Sequence, residues 1–299
     1  MSEYNHFIRE FIWSVLFVVG LSITCGVSWT LAYKPVIIVH GLLDDPDNYA
    51  TLAALINQTY PGTKVITIDA FNNNDSLQPM WKQVKGFREK MLPIMRSAKD
   101  GVNLICCSQG GLICRAILST TEVHNVKTFI SLAAPQMGQF GGESTWLKAI
   151  FPGAYKYAFH FCFTTLGSLL SVCNYWNDPK HQARYRQNND FLAVLNNETN
   201  NPLATEWKRN FLQIQKLILI GGPDDEVIAP WQSSIFGFYD TRGRVVDITQ
   251  QEVYAQDSFG LRSLDRRNGL VVCIVPGVKH REWVRSKHAF DECIAKFLL

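Results

Sequence analysis

Six short apolar runs punctuate the chain: Val36–Val39, Lys64–Ile68, Val102–Cys106, Thr128–Leu132, Leu217–Ile220 and Val271–Val275. Each is continuously apolar rather than alternating, which is how a strand covered on both faces reads. Between them lie stretches with helical character, among them Trp81–Ser97, Gly111–Ser119 and Lys287–Leu298. Strands alternating with helices predict an α/β fold with a mostly parallel central sheet and right-handed crossovers. The alternation breaks after Leu132, and the next convincing strand begins near Leu217. That gap predicts a helical cap inserted at about residues 138–215 of one domain covering 29–299.

The insertion has an unusual composition. Residues 146–176 hold nine aromatics, Trp146, Phe151, Tyr155, Tyr157, Phe159, Phe161, Phe163, Tyr175 and Trp176, and no acidic residue, against 12% aromatics in the whole chain. These rings either pack a cap onto the sheet or line an apolar groove for a long chain. The run Phe159–Val172 is too short for a membrane span and carries His160. Asn177–Asn201 and Tyr239–Asp265 read as long polar connections.

Overall composition narrows the function classes. With 47% hydrophobic and 18% charged residues the chain is neither disordered, nor a coiled coil, nor collagen-like. Its net charge of +3 is scattered, with no basic run longer than Lys279-His280-Arg281, so nucleic acid is not an expected partner. Eight cysteines show no C-x-x-C spacing of a metal site, and neither metal nor cofactor is expected. They point to disulfides and export. An apolar stretch from Phe11 to Ile23, followed by small residues around Cys25, Gly26 and Ser28, reads as a signal peptide over residues 1–28. An uncleaved anchor is the other reading of the same residues. On the exported reading, Asn57, Asn74 and Asn197 head N-x-S/T glycosylation sequons. Once the signal is removed no stable membrane span remains, and a monomer is expected.

The chemistry centres on Val102-Asn-Leu-Ile-Cys-Cys-Ser108-Gln-Gly110-Gly111-Leu, an apolar strand that runs into a serine, two glycines and a helix. This is the pattern of a nucleophile elbow, in which a serine sits on a strained strand-to-helix turn with small residues two positions either side. Gly110 meets that need, and Cys106 stands where the strict motif has glycine. A serine nucleophile needs a base and an orienting acid, which in such folds follow in the order serine, acid, histidine at later strand ends. The next strand end carries Asp224 and Asp225, which spacing does not separate. The last carries His280, preferred as base over His40 and over His288 in the terminal helix. The strand ending in His40-Gly41-Leu42 brings backbone N–H of Leu42 toward the elbow, where with that of Gln109 it can hold an oxyanion.

Several segments together resemble the palmitoyl-protein thioesterases: His40-Gly-Leu, Cys107-Ser-Gln-Gly-Gly111, Ser131 to Gly141, Cys173 to Pro179, Gly221-Gly-Pro-Asp-Asp225 and Pro230 to Tyr239. The resemblance spans roughly Pro35 to Leu299. It implies an α/β-hydrolase fold with an inserted helical cap, delivery to the lysosome lumen through the secretory pathway, and hydrolysis of fatty-acyl thioesters such as palmitoyl-CoA. By position it assigns Ser108 as nucleophile, Asp225 as acid and His280 as base. It further implies the disulfides Cys106–Cys114, Cys162–Cys173 and Cys273–Cys293, leaving Cys107 free. The same three groups would also serve an oxyester lipase, and a catalytically silent lipid-binding protein could keep the fold.

Overall fold

Eight strands form from the apolar runs and two short additions: β1 (Val36–Val39), β2 (Val65–Thr67), β3 (Val102–Cys107), β4 (Val126–Leu132), β5 (Lys216–Gly221), β6 (Phe238–Tyr239), β7 (Val245–Val246) and β8 (Leu270–Ile274). The computed structural model describes residues 33–141 and 158–299. The signal segment expected over residues 1–28 lies outside the described residues. So do Trp146, Phe151, Tyr155, Tyr157 and the Phe159 ring of the insertion.

Six strands pair in parallel in the order β2-β1-β3-β4-β5-β8, while β6 and β7 form a separate antiparallel pair. Six helices matter here: α1 (Ala50–Thr59), α2 (Met80–Ser97), α3 (Gln109–Thr120), α4 (Ala204–Phe211), α5 (Leu261–Arg266) and α6 (Lys287–Cys293). Alternate residues of one strand feed opposite cores, because side chains on a strand point to opposite faces. Ile37, Val39, Leu104 and Phe129 join Val84, Phe87 and Met91 of α2 and most of α3. Val36, Ile38, Ile105 and Ile130 join Leu52 and Ile56 of α1 and Phe290 of α6. β1 has β2 on one side and β3 on the other, so the strand order reverses there. The carboxyl ends of β1 and β3 therefore flank the crevice where such sheets hold their sites.

Four sequence expectations need correction. The run at β8 is an edge strand, with Val272 and Ile274 41% and 51% exposed, because nothing pairs beyond it. The stretch 177–201 is not simply connection: Gln182–Asn188 and Leu192–Leu195 are helical, with Tyr185, Phe191 and Leu192 buried. Likewise 239–265 contains Glu252–Ala255 and most of α5, seated by Val253, Leu261 and Leu264. Each piece is too short to give a readable period, and tertiary burial supplies the stability that short helices lack. The terminal helix stops at Cys293, and a 3₁₀ turn, Ala295–Phe297, follows.

Between β4 and β5 the helices among the described residues pack on α2 and α3. The Trp81 ring meets Phe191 edge-on at 4.9 Å and Trp207 at 5.7 Å, and its N–H donates to the Asp190 carbonyl at 2.8 Å. Of the insertion aromatics, Tyr175 and Trp176 are buried in the core, and Phe161 and Phe163 pack partly buried against it. Among the described residues no helix is long and apolar enough to cross a membrane. Asn57 and Asn74 are exposed, whereas Asn197 is half-buried with its amide 3.5 Å from the Ser258 carbonyl.

Disulfides join Cys106 to Cys114, Cys162 to Cys173 and Cys273 to Cys293, and Cys107 is free and buried. The third ties the edge strand β8 to α6. Replacing Cys273 and Cys293 together by alanine is expected to lower unfolding stability by about 2–4 kcal/mol. A urea titration under non-reducing conditions checks this through the shift of its midpoint.

Candidate active site

Ser108 stands at the junction of β3 and α3 with φ +52° and ψ −128°. That region is hostile to an L-residue and costs on the order of 1–3 kcal/mol, so the surroundings must impose it. They do so by close approach. A Cβ added to Gly110 would lie 2.5 Å from the His40 carbonyl oxygen and 2.6 Å from that of Val39, and one on Gly41 would lie 2.8 Å from the Ser108 Cβ. Position 110 needs glycine because backbone passes where a side chain would stand, and position 41 because the serine's own Cβ does. The Cys106–Cys114 bridge joins strand to helix across this turn, and the Ser108 N–H donates to the Leu132 carbonyl at 2.9 Å.

The turn lifts the hydroxyl toward two later loops. Ser108 Oγ lies 3.0 Å from His280 Nε2, and His280 Nδ1 lies 2.8 and 3.0 Å from the two oxygens of Asp225. An ionised carboxylate only accepts, so Nδ1 carries the proton and Nε2 is left to accept from Ser108. Asp225 is buried and also accepts from Trp283 Nε1, at 3.0 Å, and from the N–H groups of Val227 and Ile228, each at 3.0 Å. Burial pushes its carboxyl up, but the hydrogen bond and charge of His280 and those two N–H groups outweigh it and hold it below the usual carboxylate range. A carboxyl lowered in this way contributes stability that is present above its unfolded value of about 3.9 and lost as pH falls through the folded value. Asp225 is thus ionised across the whole range in which histidine titrates.

The choice between Asp224 and Asp225 ends in a division of labour. Asp225 meets the imidazole, while Asp224 Oδ2 accepts the Gly277 N–H at 2.6 Å and Glu226 Oε2 accepts the His280 N–H at 3.2 Å. Three consecutive acids thus hold the histidine loop at three points. Sequence reasoning missed Asp224 and Glu226 in this role, and missed Trp283; the acidic triplet at a strand end was the available signal. His40, the rival base, is buried with Nε2 2.8 Å from the Ala70 carbonyl, and His288 is exposed on α6.

Leu42 lines the cavity at Ser108 and Gln109 follows the serine in the chain, and neither N–H meets a backbone acceptor among the described residues. Gln109 opens α3, where first-turn N–H groups have no intrahelical partner. Its side chain is fixed by the Ser76 carbonyl at 2.9 Å and by the Tyr175 hydroxyl at 3.1 Å, which links the insertion to the elbow. Leu43, with φ +53°, donates its N–H to Ser76 Oγ at 2.7 Å and so shapes the other donor loop. Cys107 faces Tyr49, and burial raises its thiol far above the ordinary range, so it is held protonated. Among the described residues no His, Cys, Asp and Glu cluster fits a metal ion. A hydroxyl, an imidazole and a carboxylate in hydrogen-bonded series can carry out acyl transfer.

A family model described as palmitoyl protein thioesterase matches residues 35–280. The chain belongs to this family. It is 48% identical over 268 residues to the lysosomal thioesterase PPT2 of Rattus norvegicus, covering 89% of this chain and 88% of the relative. The PPT2 homolog of Drosophila melanogaster is 38% identical, covering 92% of this chain and 96% of the relative. Among solved structures, the mature lipase BlEst2 of Bacillus licheniformis superposes with a TM-score of 0.50 at 16% identity, covering 87% of this chain and 90% of the lipase. That likeness speaks to the fold alone, which is the α/β-hydrolase fold.

Two substitutions probe the geometry of this family member. Gly110→Ala is expected to yield little folded protein, because the added carbon meets immovable backbone oxygens; soluble yield and circular dichroism report it. Glu226→Ala is expected to lower kcat roughly fivefold, the value of one lost hydrogen bond of about 1 kcal/mol, with Glu226→Gln recovering most of it.

Proposed function

We propose that this family member hydrolyses fatty-acyl thioesters such as palmitoyl-CoA in the lysosome lumen, which it reaches by the secretory pathway, with Ser108 as nucleophile. The observation that carries the reading is the continuous hydrogen-bonded series Ser108 Oγ, His280 and Asp225 in a chain of the palmitoyl protein thioesterase family. The names of its relatives, lysosomal thioesterases, support both substrate class and compartment.

In the first half-reaction Ser108 Oγ attacks the thioester carbonyl while Nε2 of His280 takes its proton. Asp225 stabilises the imidazolium and keeps Nδ1–H aimed at itself. The negative oxygen of the tetrahedral adduct accepts from the N–H groups of Leu42 and Gln109, a type of contact whose loss costs roughly 2.7–4 kcal/mol of barrier. As the C–S bond breaks, His280 returns its proton to the departing sulfur, leaving an acyl-serine. Water then attacks with His280 again as base, releasing the fatty acid and restoring Ser108. A thiolate is a good leaving group, so deacylation is the slower half.

Ser108→Ala is expected to abolish turnover of palmitoyl-CoA and labelling by a fluorophosphonate probe, as measured by thiol release and gel fluorescence. Activity unchanged in that variant would sink the assignment. Asp225→Asn leaves the imidazole in the wrong tautomer and is expected to reduce kcat by roughly 10³–10⁴-fold. Because the base works only when neutral and Asp225 is charged throughout, kcat/KM rises from acidic toward neutral pH. A profile that falls over that interval contradicts the neutral-histidine mechanism.

A further inference from the structure

Ser108 and His280 open onto a cavity of about 190 Å³ between the loop after β1 and the loop after β8. This is smaller than the roughly 300–1,000 Å³ of sites that enclose drug-sized ligands. Its wall is mixed, with Leu42, Leu132 and Val284 beside Asp44, Arg281 and Arg285, and no described residue of 138–215 lines it. A long methylene chain does not fit in so small a space, and entering it would strip water from the charged groups at its wall. A thioester has two arms, and the space suits the polar one.

The charges on this wall are unequally free. Asp44 is occupied: its Oδ1 accepts from the Asn48 amide at 2.7 Å and its own neighbour's N–H at 3.0 Å, and its Oδ2 accepts from the Tyr49 hydroxyl at 2.8 Å. The two arginines are exposed, and among the described residues neither pairs with a carboxylate. Arg285 has only a long contact, 3.4 Å, to Asn48 Oδ1, and it lies four residues beyond Arg281. A guanidinium presents its donors in a planar fork that matches phosphate and carboxylate oxygens. Two such forks without a described carboxylate partner, beside the reacting serine, make a wall that attracts anions.

We propose that this cavity seats the thiol arm of the substrate and that Arg281 and Arg285 form an anion subsite on its wall, selecting thiol carriers that bear phosphate or carboxylate. The proposal rests on thioester hydrolysis at Ser108, and the experiment separates the two. Three substrates share the palmitoyl chain: palmitoyl-CoA with phosphates, S-palmitoyl glutathione with carboxylates, and the uncharged palmitoyl-N-acetylcysteamine. The readout is the ratio of kcat/KM for each anionic substrate to that for the neutral one, which cancels any difference in the amount of folded enzyme. In Arg281→Gln/Arg285→Gln the ratio is expected to fall roughly twofold to thirtyfold, as two exposed ion pairs would dictate. The wild-type ratio should also fall as salt rises, because exposed pairs are screened. A fall for both anionic substrates assigns a general anion site, and a fall for palmitoyl-CoA alone assigns phosphate. A ratio unchanged by both the substitution and salt overturns the subsite. Failure of the wild type to hydrolyse even the neutral thioester overturns the reading of function instead.

Discussion

The structure turns on one unfavourable backbone conformation, that of Ser108. A φ of +52° in an L-residue persists only where neighbours leave nowhere else to go. Here β3 ends under hydrogen bonds from both sides, α3 begins at the next residue, and the loop after β1 presses Gly41 against the serine. Relaxing the turn would mean separating strand from helix against a disulfide and a closely packed backbone. The strain therefore aims the hydroxyl, and it leaves the Gln109 N–H at the start of α3, where a first-turn N–H has no intrahelical acceptor.

What the serine meets is set by strand order. β5 and β8 are adjacent and parallel, so the loops at their carboxyl ends lie side by side although Asp225 and His280 are 55 residues apart in sequence. The acidic triplet then does two things at once. Its middle member is buried and orients the imidazole, while its outer members stay exposed and grip the histidine loop by backbone N–H groups. The burial that would neutralise Asp225 is countered by donors aimed at it, so the acid stays charged where histidine changes protonation.

Much of this was legible in the residues. Continuous β-branched runs predicted the parallel strands because both faces of such a sheet are covered. The serine between a strand and two glycines predicted the elbow because the turn tolerates little else. Legibility failed where local signal was weak. The helices at 182–188 and 192–195 are too short to show a period, and they form because Tyr185 and Phe191 are buried against other elements. The apolar run at β8 suggested burial on both faces, yet position at the sheet edge leaves alternate residues in water.

Local chemistry, then, was written in the chain: the strands, the elbow, and the kinds of group that could serve as nucleophile, acid and base. Spacing could not separate Asp224 from Asp225, because both sit at the same strand end and differ only in which way the loop turns them. Folding made that choice by burying one beside Trp283 and leaving the other to the Gly277 N–H. The placement of Arg281 and Arg285 on the wall of the serine's own cavity was equally invisible, since only the convergence of loops after β1 and β8 creates that wall.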